Sequence, residues 1–143
     1  MICNLCPRRC GAERMPDKAG GVCAMPTWPV AARAMLHQWE EPCLVGEHGA
    51  GAVFFSGCNL RCKFCQNGVI SQEGYGKPIT PRRLREIFEE LVEQGAACLD
   101  LVTPTHFTDA VLEALGEERW PVPVVWNCGG YESVETLKRL ENR

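Results

Sequence analysis

From residue 52 onward, short apolar runs alternate with longer stretches whose apolar residues recur every three or four positions. The short runs, 52–56, 97–102 and 122–126, are rich in residues that favour strands. The stretches after them place their apolar residues on one helix face each: Leu84, Ile87, Phe88, Leu91 and Val92; then Val111, Leu112 and Leu115; then Val134, Leu137 and Leu140. Strands that alternate with helices predict an α/β fold of parallel β-α units.

Each predicted helix has a start signal. Thr80 precedes a proline, which favours Thr80 as the N-cap and Pro81 as the first helical residue. Thr108 and Ser133 are the corresponding caps predicted for the second and third helices. Gly95 is predicted to end the first helix.

The first 51 residues do not follow this alternation. We expect residues 28–51 to be a connector, in which 30–36 has strand length but poor alternation. Residues 37–42 mix an aromatic with polar side chains and predict a surface segment. Gly46, Gly49 and Gly51 mark a turn into the first core strand.

Length and charge limit the function classes. The chain has 143 residues, which fits one domain with a small appendage. Its formal net charge of −3 gives no reason to expect nucleic-acid binding. No apolar run approaches the ~20 residues of a membrane span, and the N-terminus lacks the apolar core of a signal peptide. We therefore predict a cytoplasmic protein without a membrane contact.

Ten cysteines are many for a cytosolic protein, and most are clustered. Residues 1–27 form a cysteine-rich head with thiols at Cys3, Cys6, Cys10 and Cys23. So short a segment buries little core, and one metal held by four thiolates would stabilise it. Zinc and a second, auxiliary Fe–S cluster are both open, with two disulfides as the alternative. We expect this metal to be independent of any other site.

A second group of thiols follows the strand at 52–56. Gly57 opens a loop carrying Cys58, Cys62 and Cys65, at spacing Cys-x3-Cys-x2-Cys. Cysteine thiolates hold four-iron clusters, and three ligands leave one iron open. A zinc knuckle or buried structural thiols are the alternatives.

The chemistry of β-α units lies at the carboxyl ends of their strands. The three ends here, 56–58, 103–106 and 127–131, are polar, rich in glycine or proline, or cysteine-bearing. We expect them to meet at one edge of the sheet, beside the cysteine loop. For Thr105 and His106, a plain β-α turn remains the alternative.

The cysteine loop, with Phe64 at the aromatic position of Cys-x3-Cys-x-aromatic-Cys, resembles the signature of radical S-adenosylmethionine (SAM) enzymes. Further stretches are similar to the subgroup that resembles pyruvate formate-lyase activating enzyme: 3–10, 37–42, 54–58, 65–67 and 103–107. The resemblance implies a [4Fe–4S] cluster on Cys58, Cys62 and Cys65, with SAM on the open iron and Phe64 near the adenine. The loops after Val102 and Trp126 can supply Thr105 and Asn127 as further polar contacts to SAM.

The resemblance also implies the reaction. An electron from a donor such as flavodoxin or ferredoxin cleaves SAM to a 5′-deoxyadenosyl radical, which abstracts hydrogen from a substrate. In activating enzymes that substrate is a glycine of a glycyl-radical enzyme. The alternatives are an inactive or electron-carrying iron–sulfur fragment and a zinc-binding interaction module.

Two departures from the family pattern matter. Most of the superfamily has Gly-Gly-Glu where this chain has 103–105, Thr-Pro-Thr, so no carboxylate is available for the SAM amino group. The family core is a partial barrel of six β-α units, and this sequence predicts three, in residues 52–143. We therefore expect the N-terminal half of a radical SAM partial TIM barrel, preceded by the head, with weak SAM binding.

Overall fold

The computed structural model describes residues 1–141, which fold around a mixed five-stranded sheet. Asn142 and Arg143, the end of the predicted core 52–143, lie outside the described residues. Within the described residues the strands are β1 Val30–His37, β2 Ala50–Phe55, β3 Lys77–Pro78, β4 Leu99–Val102 and β5 Val124–Asn127.

The three predicted strands form the parallel part of this sheet. The strand order is β3-β1-β2-β4-β5, and β2, β4 and β5 run parallel, as the alternation of strands and helices predicted. The register aligns Ala52 with Asp100 and Asp100 with Val125. The carboxyl ends of these strands therefore lie at one edge.

The predicted connector contributes a strand that the sequence left uncertain. β1 is antiparallel to both β2 and β3, so the sheet is mixed rather than wholly parallel. Its register with β2 shifts between Ala31 and Arg33. A bulge of this kind breaks the two-residue alternation along the strand, which explains the poor pattern in 30–36.

The helices of the described residues are α1 Pro42–Val45, α2 Gly68–Ser71, α3 Pro81–Glu93, α4 Thr108–Leu115 and α5 Val134–Lys138, with a 3-10 turn at Thr105–Phe107. None of them has the length and apolar content to span a membrane.

The start and end of α3 are as predicted. The Thr80 hydroxyl accepts a hydrogen bond from the backbone N–H of Arg83 at 3.1 Å, and Pro81 is the first helical residue. Gly95 has a φ of 92° and follows the C-cap Gln94, so the chain leaves the helix where a residue without Cβ is preferred.

The predicted cap of α4 is wrong. Thr108 is the first helical residue and Phe107 occupies the cap position without a side-chain bond. The 3-10 turn before it places the Thr108 hydroxyl against the backbone oxygen of Thr105, to which it donates at 2.7 Å. Thr108 therefore joins the two turns instead of starting the helix.

The start of α5 is confirmed, but its predicted apolar face is wrong. Ser133 accepts a hydrogen bond from the backbone N–H of Thr136. Val134 and Leu137 are 62% and 44% exposed, and the buried residue of this helix is Thr136, whose hydroxyl donates to the backbone oxygen of Leu5 at 2.6 Å. The helix therefore packs on the head through a polar contact.

The core lies between one face of the sheet and helices α3 and α4. It combines Val53, Phe55, Leu99 and Leu101 of the strands with Leu84, Phe88, Leu91, Val111 and Leu115 of the helices. Because side chains alternate along strands, the opposite face carries Phe54, Asp100, Val102 and Asn127. Of these, only Asp100 is fully buried.

Candidate functional site: the cysteine loop at the carboxyl edge of the sheet

The cysteine loop begins two residues after β2. Gly57 has a φ of 76°, and its backbone N–H donates to the oxygen of Ile70 at 3.0 Å. A Cβ at this position would overlap the Met25 side chain and lie 2.8 Å from the backbone oxygen of Cys23. Glycine therefore lets the chain turn tightly against the head and place Cys58 at the edge of the sheet.

The first thiol of the loop is held by the backbone. Cys58 Sγ accepts a hydrogen bond from the N–H of Leu60 at 3.3 Å. Between them, Asn59 is buried and its amide donates to the backbone oxygen of Tyr131 at 2.9 Å. The loop is thus fixed both to itself and to the segment after β5.

Helix α2 and its C-cap residue hold the other two cysteines, Cys65 through its thiol and Cys62 through its backbone. The Ser71 hydroxyl donates to Cys65 Sγ at 3.4 Å, and the Gln72 amide donates to the backbone oxygen of Cys62 at 2.8 Å. All three loop cysteines are partly exposed, and Phe64 between them is 91% exposed. An aromatic ring this open to solvent does not serve the core.

The three predicted strand ends come together, as expected. His106 Nε2 lies 2.7 Å from the backbone oxygen of Ser56, which links the turn after β4 to the start of the cysteine loop. A Cβ at Gly129 would lie 2.8 Å from Leu60 Cδ2, so the segment after β5 packs directly on that loop. The thiols therefore lie where β-α folds carry their chemistry.

The two predicted SAM contacts face different surroundings. Thr105 is 1% exposed, and its buried hydroxyl has no hydrogen-bond partner within the described residues. Asn127 is partly exposed, with its amide nitrogen 3.4 Å from Asp100 Oδ2. Thr103, at the start of the Thr-Pro-Thr segment, has a φ of 59°. That conformation is costly for a β-branched residue and marks a strained turn at the site.

Sequence reasoning missed Asp100, a buried titratable residue beside the site, and did not predict that His106 is buried. Asp100 is fully buried, and burial, followed by the negative charge of Glu40, raises its pKa to about 6. Burial lowers the pKa of His106 to about 4, so the ring is neutral at pH 7 and donates from Nε2 to Ser56. The run 97–102 is apolar apart from Asp100. A single acidic residue in a strand predicted to be buried could have identified Asp100 from the sequence.

The four head cysteines border one small cavity, together with Arg14 and His106. The head is not separate from the loop. Arg8 donates from Nε to the backbone oxygen of Asn59 at 2.8 Å, and from Nη2 to that of Leu60 at 3.2 Å. Arg14 is fully buried between the head and the turn after β4.

The fit of these residues to a metal cofactor depends on their metal-ligating side chains and on how closely those side chains are grouped. Within residues 1–141, no three His, Cys, Asp or Glu side chains are grouped closely enough to hold a metal ion. The chemistry of the loop nevertheless fits an iron–sulfur cluster. Its thiols are partly exposed, and donors from Leu60 and Ser71 point at two of the sulfurs. Hydrogen bonds to cluster sulfurs are one way in which proteins tune such centres.

Comparison with known families decides the assignment. The family model of the radical SAM superfamily matches residues 52–142. This chain belongs to the radical SAM superfamily. The match begins in β2 and includes the cysteine loop and all three strand ends. In this chain the radical SAM cysteine loop therefore follows the first of three parallel strands in the mixed sheet.

A similar protein extends the comparison to the head. An uncharacterized protein of Methanocaldococcus jannaschii is 30% identical over 148 residues, covering 97% of this chain and 42% of the relative. The chain therefore spans about two fifths of the length of that relative. No solved structure matches the chain.

Proposed function

We propose that this radical SAM chain binds a [4Fe–4S] cluster on Cys58, Cys62 and Cys65 and S-adenosylmethionine beside it. The observation that carries the proposal is the placement of a three-cysteine loop at the carboxyl edge of parallel strands, with hydrogen-bond donors on its sulfurs. When bound, the reduced cluster would supply the electron that cleaves SAM into methionine and a 5′-deoxyadenosyl radical, which would abstract hydrogen from a substrate.

The chain's own residues would position these groups. Gly57 and Asn59 fix the entry of the loop, and Ser71 and Gln72 hold its far end. The sheet face that carries Phe54, Val102 and Asn127 is only partly buried and lies next to the loop, which makes it the surface proposed for SAM. Phe64 is exposed and therefore free to pack on an adenine ring.

The proposed partners follow from the same resemblance. A low-potential electron donor such as flavodoxin or ferredoxin would reduce the cluster. The substrate class is a protein glycine, as for activating enzymes of glycyl-radical enzymes. What supports this finer proposal is the sequence similarity to the activating-enzyme subgroup in segments 3–10, 54–58 and 103–107.

The test is anaerobic reconstitution with iron and sulfide, followed by addition of dithionite and SAM. The wild-type chain is expected to bind about four irons at the loop. Cys62→Ala should lose those irons. Cys43→Ala removes an exposed thiol that belongs neither to the head cysteines nor to the loop cysteines, and it should keep them. A full iron complement in Cys62→Ala would contradict the assignment of the site.

A second candidate function is a non-catalytic iron–sulfur protein, favoured by the incompletely covered sheet face beside the loop, where Phe54, Val102 and Asn127 are only partly buried. The same experiment distinguishes the two. An electron carrier or inactive fragment would hold the cluster and release no 5′-deoxyadenosine. A zinc-binding interaction module would take up no iron at the loop.

A further inference from the structure

The four head thiols converge on one point of the fold. Cys3, Cys6, Cys10 and Cys23 border a single cavity of about 10 Å³, which is about the room of one water molecule. Three of these residues are buried and Cys10 is exposed. The cavity therefore lies just beneath the surface, with one thiol accessible from solvent.

The backbone turns around three of these thiols point N–H groups at sulfur. The backbone N–H of Arg8 faces the Cys6 thiol, that of Ala12 faces Cys10 and that of Met25 faces Cys23, in each case from the residue two positions later. Cys128 makes the same contact with Gly130 outside the head, so one such turn does not define a site. The convergence of three of them on one cavity is specific to the head. These N–H groups favour thiolate, which is the metal-binding form of cysteine, although burial is the larger influence at Cys6 and Cys23 and raises the pKa of both thiols.

The burial of Arg14 independently indicates that negative charge lies beside the cavity of the head thiols. Its side chain is fully buried, and Nη1 lies 3.3 Å from Cys3 Sγ. Its other nitrogens donate to backbone oxygens, among them those of Met25 and His106. No carboxylate in the described part of the chain forms an ion pair with it. A buried cation is costly unless an anion accompanies it, and the head thiolates are the anions within reach.

We propose that Cys3, Cys6, Cys10 and Cys23 bind one zinc ion. Four thiolates in tetrahedral coordination are a common structural zinc site, and Cys3-x2-Cys6 has the spacing of such sites. The cavity, with about the room of one water molecule, matches a single ion better than a four-iron cluster. Because no three thiols are yet grouped at metal-binding distance, zinc draws them inward across the cavity. The two negative charges of the zinc tetrathiolate are balanced by Arg14 and by nearby Arg8.

The zinc site also supports the cysteine loop. The Arg8 guanidinium donates to the backbone oxygens of Asn59 and Leu60 and lies 5.5 Å from the centre of the Tyr131 ring. Cys6 and Cys10 flank Arg8 in sequence, so the metal fixes the segment from which this side chain reaches. The head metal is therefore coupled to the loop, contrary to the independence expected from sequence. Only this coupling rests on the proposed function; the zinc site itself does not.

The first test measures zinc in three anaerobically purified chains. The wild type and Cys43→Ser should each hold one zinc. Cys10→Ser should bind it at least ten-fold more weakly, by competition with a chromogenic chelator. Cys10 is exposed, so its replacement leaves no core cavity. Equal affinity in Cys10→Ser and Cys43→Ser, a disulfide among the head cysteines, or iron and sulfide in the head of a Cys58/Cys62/Cys65→Ser variant would each overturn the proposal.

The second test measures the coupling between the zinc site and the cysteine loop, and it needs no cysteine variant. Trypsin cuts after Arg61 and Lys63 in the loop, and after exposed Arg119 as an internal control. Removing zinc from the wild type should speed the loop cuts severalfold relative to the Arg119 cut, and zinc alone should restore them. Arg8→Gln should speed the same cuts while keeping its zinc. If neither zinc removal nor Arg8→Gln changes the rate of loop cleavage, the coupling is wrong. That outcome would not bear on cluster assembly at the loop, which is tested separately.

Discussion

At the scale of single residues, burial beside the candidate site favours the neutral forms of Asp100 and His106. Asp100 is buried with its Oδ1 unpartnered in the described residues, and its pKa is raised to about 6. The pKa of His106 is lowered to about 4, mainly by burial. The unfolded chain therefore ionises each group at a pH where the folded chain keeps it neutral.

The two groups change stability in opposite directions with pH. The penalty from Asp100 is absent below pH ~4 and complete above pH ~6, because only the unfolded chain ionises it between these values. The penalty from His106 is absent above pH ~6.5 and grows as the pH falls toward ~4, because the unfolded chain then binds the extra proton.

We predict that Asp100→Asn stabilises the chain at pH 7 by roughly 1 to 2 kcal/mol and has no effect near pH 4, since it removes only the penalty that appears as the acid ionises. Urea unfolding of both chains at the two pH values measures this difference. The control is Asp17→Asn, which replaces an exposed acid and should change neither value. A difference of the same size at pH 4 and pH 7 would show that burial of the charge is not its cause.

At the scale of elements, the packing of helices on the sheet separates α3 from α5. Helix α3 has 13 residues and buries one apolar face, including Leu84 and Phe88, against the strands. Helix α5 has five residues and contacts the head through Thr136, while Leu137 is 44% exposed. The two helices share an apolar pattern and differ in what they pack against.

We predict that Leu84→Ala lowers the free energy of unfolding by ~2–5 kcal/mol, because it leaves a cavity in the core. Leu137→Ala should cost less than ~1 kcal/mol, since the side chain is largely in water and alanine is at least as good a helix former. Denaturant unfolding of the two variants, which carry the same chemical change, makes the comparison. Similar losses would mean that α5 buries its apolar face after all.

At the scale of the whole molecule, the open edge of the sheet limits what the chain can enclose. All four residues of β5 are only partly buried, and β5 is an edge strand within the described residues. The face proposed for SAM is likewise partly exposed. Small-molecule sites normally bury most of their ligand, and the matched relative extends well beyond the segment that this chain covers.

We therefore predict that this chain, reconstituted with its cluster, binds SAM more weakly than the longer Methanocaldococcus jannaschii relative and releases 5′-deoxyadenosine more slowly. Equilibrium dialysis with SAM and product analysis after dithionite addition, on both proteins in parallel, measure the two quantities. Equal affinity and equal rates would show that residues 1–143 suffice, for instance by closing the site with a second copy of the same chain.

The sequence alone determined the features that depend on local chemistry. The cysteine spacing with Phe64 predicted the superfamily that the family comparison confirmed. Thr80, Pro81 and Gly95 predicted the limits of α3, because capping depends on side chains and backbone angles within a few residues. The alternation of strands and helices predicted the parallel strands β2, β4 and β5, because apolar periodicity records how each segment is buried.

Only the tertiary structure decided what depends on contacts between distant segments. The bulge in β1 hid a strand from the alternation pattern, because register is set by the partner strand. Arg14 is buried because its partners lie at Met25 and His106, and nothing in the residues around Arg14 predicts that burial. The apolar pattern of α5 predicted a core face, but its neighbour in the fold is the polar backbone of the head at Leu5. Periodicity records an apolar face, and tertiary packing determines whether anything covers it.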